Sequence, residues 1–154
     1  MIAKKCMIHT GVGVSESRLV SFDKALLNAN VGNYNLVRLS SILPPNCEWV
    51  NKVDLEEGSL LPTAYSTVSG NLKGQMIASS IGVGIPADGS KVGVIMEYSS
   101  CGETKEEALS KLHSMIREAF AFRGWELKEI ISDAVSDVVN DDMVHTTFAC
   151  IAEW

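Results

Sequence analysis

The chain reads as an α+β sandwich. Two stretches carry apolar residues at helical spacing, and seven others have strand-like composition bounded by turn residues. The length of 154 residues, 46% of them hydrophobic, with no shift in composition along the way, predicts one domain with a sizeable core spanning 1–154.

The first strand is predicted over residues 2–10. Phe22, Ala25, Leu26 and Ala29 then recur at helical spacing after Ser21, which is placed to cap a first helix, and Gly32 stands where that helix would end. A strand-like segment over 35–43 follows. Asn46 to Gly58, polar after Pro44-Pro45, reads as the longest loop. Strands are predicted over 62–69, 73–85 and 91–99. Thr104 and Glu107 form a capping box that opens a second helix, whose apolar stripe of Ala108, Leu112, Met115, Ala119 and Phe122 runs up to Gly124. Lys105, Glu106, Lys111 and Glu118 make the opposite, solvated face. Strands over 126–136 and 143–152 close the chain.

Composition excludes several function classes. A net charge of −6 with no basic run argues against a nucleic-acid surface and suits a cationic small substrate better. Cys6, Cys47, Cys101 and Cys150 are scattered, with no Cys-x-x-Cys pair and no histidine at metal-ligand spacing, so no metal site is expected and the thiols read as reduced and mostly buried. No apolar run reaches membrane-spanning length, and Lys4-Lys5 leads into Cys-Met-Ile-His rather than a signal-peptide core, so a cytoplasmic protein away from membranes is expected. Gly11-Val12-Gly13 and Gly82-Val83-Gly84 complete no nucleotide-binding fingerprint and read as turns, bulges or close backbone contacts. His9, His113 and His145 form no evident triad, and no Gly-x-Ser-x-Gly elbow is present.

The chemistry concentrates at Ser40-Ser41. Most serine pairs only hydrogen-bond in turns. A serine hydroxyl beside its own preceding carbonyl can, however, attack that carbonyl when the peptide is strained and an oxyanion donor is close. The resulting ester would eliminate across Ser41, free Ser40 as a C-terminal carboxylate, and leave a dehydroalanine that hydrolyses to a pyruvoyl group and ammonia. Glu97 is a second candidate. It follows Val92-Gly93-Val94-Ile95-Met96, an apolar run that would desolvate a carboxyl, although a strand-end glutamate more often faces water.

The segment Gly32-Asn33-Tyr34-Asn35-Leu36-Val37-Arg38-Leu39-Ser40-Ser41-Ile42-Leu43-Pro44-Pro45 resembles the processing site of the pyruvoyl-dependent arginine decarboxylases. Its Gly-Asn, aliphatic-Arg-aliphatic run, Ser-Ser, aliphatic pair and Pro-Pro follow the family pattern. Phe22 to Ala29 resembles the family's first helix. Gly58 to Tyr65, Gly93 to Tyr98 and Arg123 to Leu127 resemble further segments in the family's order, while Asp137 to Asp142 matches less clearly.

The resemblance implies a four-layer αββα sandwich assembled as trimers, alone or paired, with active sites between neighbouring subunits. It implies self-cleavage into 1–40 and 41–154, with Ser41 becoming a pyruvoyl cofactor that holds arginine as an imine while it loses carbon dioxide to give agmatine. On the same footing Glu97 is the acid that reprotonates the product carbon, and Asp23 receives the substrate guanidinium through a carboxylate fork. Asn35 orients the Ser40–Ser41 peptide or its oxyanion, and Gly32 and Tyr34 lie in the substrate pocket, where Tyr34 is bulkier than the aliphatic residue expected. The alternatives are an uncleaved homologue acting as a binding or regulatory subunit, and a pyruvoyl decarboxylase for another amino acid.

Overall fold

The computed structural model describes residues 2–154. The elements run β1 (Lys5–Ser15), α1 (Arg18–Asn28), β2 (Asn35–Arg38), β3 (Ile42–Leu43), β4 (Glu48–Trp49), β5 (Leu60–Gly70), β6 (Met76–Pro86), β7 (Gly93–Cys101), α2 (Lys105–Arg123), β8 (Leu127–Val138) and β9 (Val144–Glu153). One sheet has the order β2-β5-β9-β1-β4 and the other β3-β7-β6-β8. The second sheet is antiparallel throughout, whereas the first adds β2 and β4 as parallel edges to β5 and β1.

Strand alternation sends successive side chains to opposite faces, and β9 uses both. Phe148, Cys150 and Ala152 join Met7, Ala25 and Leu61 under α1. Ala149 and Ile151 point the other way, packing with Cys6, Leu43, Ile81 and Ile95 between the sheets. A third cluster of Val94, Leu112, Ile116 and Phe120 lies under α2. Three apolar layers separate four layers of structure, so the sandwich carries one helix on the outer face of each sheet. Toward the β8–β9 turn the inter-sheet layer becomes hydroxyl-rich, with Ser66 donating to the Ser80 carbonyl at 2.8 Å and Ser79 bonded to Thr147 at 2.8 Å. Buried hydroxyls persist there because each finds a partner.

Gly11 and Gly13 are close backbone contacts, whereas Gly82 and Gly84 make room for side chains, Leu112 and Ser132 over the first and Ile116 and Phe120 over the second. A Cβ at Gly13 would sit 1.9 Å from the Ser21 carbonyl oxygen, and one at Gly11 would sit 2.1 Å from that of Ala25. These two positions let α1 lie directly on β1.

Several expected boundaries shift. Ser17 rather than Ser21 caps α1, its hydroxyl accepting from the Val20 amide, and Ser21 is buried one turn later against Thr146. The capping box of Thr104 and Glu107 stands as read. The α2 stripe runs Ala108, Leu112, Ile116, Phe120, a strict four-residue step, so Phe122 falls on the solvent side at 92% exposed. The first strand extends to Ser15, and the long loop contains β4. Of the four cysteines, Cys6 and Cys150 are buried, Cys47 is half-buried and Cys101 is exposed; all four are free thiols. Among the described residues no helix is long and apolar enough to cross a membrane.

Candidate active site

The single strand expected over 35–43 is two strands in different sheets. β2 pairs in parallel with β5, from Asn35 opposite Leu60 to Arg38 opposite Thr63, at the edge of the first sheet. β3 pairs with β7 at the edge of the second, with Ile42 opposite Val94. Leu39, Ser40 and Ser41 therefore cross from one sheet to the other. The crossing is fastened on both sides: the Leu39 amide donates to the Thr63 carbonyl at 3.1 Å, and the Ile95 amide donates to the Ser41 carbonyl at 2.8 Å. Between these anchors the Ser41 hydroxyl lies against the Ser40 carbonyl oxygen in a close hydrogen bond. The hydroxyl and the carbonyl that it would attack in the expected self-cleavage are side by side, on a peptide with an exposed and a half-buried serine.

Glu97 stands on β7, near Ser41, because the β3–β7 register carries the chain from Val94 past Ile95. Its surroundings are less apolar than the flanking sequence suggests. One carboxylate oxygen forms an ion pair with Arg38, whereas the other, Oε2, is buried with no hydrogen-bond partner among the described residues. Arg38 also donates to the Tyr65 carbonyl at 3.2 Å, and its guanidinium sits 4.6 Å from the centre of the Tyr65 ring. The Glu97 hydrogen bond holds Arg38 still further above its already high range, against a smaller opposing effect of burial. Sequence reasoning missed Arg38 as the partner of Glu97 and Tyr65 as the residue against which Arg38 rests. The available signal was a lone cation inside an otherwise aliphatic strand, two residues before the serine pair.

The remaining candidates gather elsewhere. Asn35 opens β2 and donates through its side-chain amide to the Gly58 carbonyl at 2.7 Å. Four residues lie between it and Ser40, and among the described residues no side-chain hydrogen bond joins it to the serine pair within one chain. Gly32 packs where a Cβ would lie 2.7 Å from the Leu27 side chain. The chain reversal after α1 falls instead to Asn30, at φ 61°. Tyr34 reaches from the apolar layer under α1 to the Leu55 carbonyl at 3.3 Å. Gly32 and Tyr34 share a surface cavity with Leu27, Asn33, Lys52 and Glu57. Asp23 is exposed on α1, and among the described residues it forms no hydrogen bond or ion pair. The candidates thus fall into two groups within one chain: Ser40, Ser41, Glu97 and Arg38 at the crossing, and Asp23, Gly32, Tyr34 and Asn35 around α1 and the start of β2.

The family model described as pyruvoyl-dependent arginine decarboxylase matches residues 5–152. Proteins named pyruvoyl-dependent arginine decarboxylase from Methanocaldococcus jannaschii and Methanococcus vannielii are 43% and 40% identical, each match covering 94% of this chain and 86% of the relative. One from Thermococcus sibiricus is 38% identical over 96% of this chain and 94% of its own length.

Proposed function

The chain belongs to the pyruvoyl-dependent arginine decarboxylase family, and on that premise we propose that it cuts itself between Ser40 and Ser41 and converts L-arginine to agmatine and carbon dioxide. The observation that carries this reading is the Ser41 hydroxyl set against the Ser40 carbonyl on a peptide anchored to both sheets. Attack there moves the acyl group from nitrogen to oxygen, and elimination separates 1–40 from 41–154. The fragments stay together because they interleave: β1 lies between β9 and β4, β2 lies on β5, and α1 covers the sheet they share.

The pyruvoyl group that Ser41 becomes supplies a carbonyl able to accept electrons as carbon dioxide leaves. The chain's own residues do the rest. Arg38 orients Glu97 by holding one carboxylate oxygen, and the unpartnered Oε2 is the atom that holds and delivers the proton. Asp23 receives the guanidinium, Gly32 and Tyr34 shape the pocket, and Asn35 supplies a neutral amide to the Ser40–Ser41 peptide. The separation of the two groups supports a trimer, or a pair of trimers, in which one subunit brings Asp23, Gly32, Tyr34 and Asn35 to the crossing of the next. The net charge of −6 favours a cationic substrate, and the work is assigned to the cytoplasm.

Intact mass under denaturing conditions, before and after a carbonyl-reactive reagent, tests the reading. The expected result is two fragments divided at Ser40–Ser41, with only the larger one reagent-reactive. A single unreactive chain in active preparations would overturn it.

A further inference from the structure

Cys6 and Cys47 meet outside the site already described. Cys6 lies in β1 and Cys47 immediately before β4, which pairs with β1 in parallel with Lys5 opposite Glu48 and Cys6 opposite Trp49. That register puts Cys47 opposite Lys4 and on the same face as Cys6, as a diagonal neighbour. Each thiol reaches across to the other's strand: Cys6 Sγ lies 3.7 Å from the Glu48 carbonyl oxygen, and Cys47 Sγ lies 3.6 Å from that of Ala3. Cys150 faces the α1 layer and Cys101 is exposed.

We propose that Cys6 and Cys47 form a reversible disulfide, and that in the self-cleaved protein, a state that rests on the reading above, this bond is a covalent tie between fragments 1–40 and 41–154. Cys6 belongs to the smaller fragment and Cys47 to the larger. The oxidant is a small-molecule disulfide. One protein thiolate attacks a sulfur of the reagent and expels its thiolate; the second protein thiol then displaces the other half. One protein disulfide and two reduced reagent thiols result, and the two protein thiol protons pass to the two released thiolates.

Geometry permits the bond at a small cost in backbone movement. A disulfide needs Cα atoms about 4.4–6.8 Å apart, and diagonal strand neighbours sit at about 7–8 Å. Closure draws the start of β4 inward by ~1 Å, which a two-residue edge strand behind Pro44-Pro45 allows. Cys47 is the attacking thiol, since it is half-buried while Cys6 is fully enclosed. Burial pushes both thiols up, so the exchange quickens as pH rises from neutrality. Oxidation pins the segment of Leu43, Pro44 and Cys47, which with Trp49, Ile85 and Lys91 walls a cavity of about 320 Å³ just beyond Ser41.

The purified protein is incubated with oxidised glutathione at pH 8.5, free thiols are alkylated, and tryptic peptides are mapped without reduction. The expected product joins the peptide 6–18 to the one ending at Lys52 and is absent from Cys47→Ser. The fragments then run as one species on a denaturing gel until reductant is added. The second peptide begins at residue 39 if the chain is uncut and at 41 if it is cut, so failure of self-cleavage is read separately from failure of the disulfide. Separate glutathione adducts on Cys6 and Cys47, or both thiols still alkylated while Cys101 is oxidised, would overturn the proposal.

Discussion

Replacing Glu153 with glutamine should remove most of a pH dependence built into the sandwich. Glu153 ends β9, is 4% exposed, and leaves Oε1 without a partner among the described residues. Opposite Cys6 in the β1–β9 register, it lies on the inter-sheet face. Burial pushes its carboxyl from an ordinary 4.5 to about 7. The folded state therefore holds a proton that the unfolded chain has released, and stability falls as pH rises from about 4.5 to about 7. At about 1.4 kcal/mol per tenfold in the ionisation constant, the full effect is on the order of 3 kcal/mol. Urea unfolding of wild type and Glu153→Gln at a series of pH values from 4.5 to 8 measures it. The gap between the two curves should move by about 3 kcal/mol in favour of the variant across that range. Parallel curves would refute the reasoning, because they would mean that Glu153 ionises alike in both states.

Other perturbations separate catalysis from packing. Glu97→Gln should leave self-cleavage intact by mass and stability within about 1 kcal/mol, since the lost ion pair is partly exposed, while kcat falls by about 10²–10⁴; an unchanged kcat would remove Glu97 from the reaction. Co-expressing Asp23→Asn with Glu97→Gln should restore ~25% of wild-type activity if each site draws these residues from different subunits of a random trimer, and nothing beyond the single variants if it does not. Gly13→Ala should lower Tm, because the 1.9 Å clash with the Ser21 carbonyl oxygen costs about 1–3 kcal/mol of stability or more by overpacking. His145 is bonded to Asp137 at 2.6 Å and Asp141 at 2.9 Å. Burial lowers its ionisation, but the two carboxylates outweigh this and raise it above 6.5. Its stabilisation is therefore complete below 6.5 and lost as pH rises through the folded value, a loss that Tm of His145→Asn should not show.

Much of the sandwich was legible because its signals are local. The α2 capping box needs only Thr104 and Glu107, and the long strands from Leu60 onward declare themselves by composition between turn residues. Boundaries failed where a neighbour in space decides them. Ser21 has a cap's chemistry, yet Thr146 takes its hydroxyl and Ser17 caps instead. Phe122 belongs to an apolar stripe by spacing, yet the space over Gly84 on β6 and the Val94 side of β7 take Ile116 and Phe120.

The site divides in the same way. The sequence by itself determined the serine pair, its Pro-Pro sequel and the family they belong to, because reacting atoms in adjacent residues are brought together by covalent connection alone. Tertiary structure alone decided that the pair bridges two sheets, that Arg38 claims Glu97, and that Asp23 and Asn35 lie apart from both. Those relations depend on which strand edges meet and which charges are left to pair, and neither is fixed by distance along the chain.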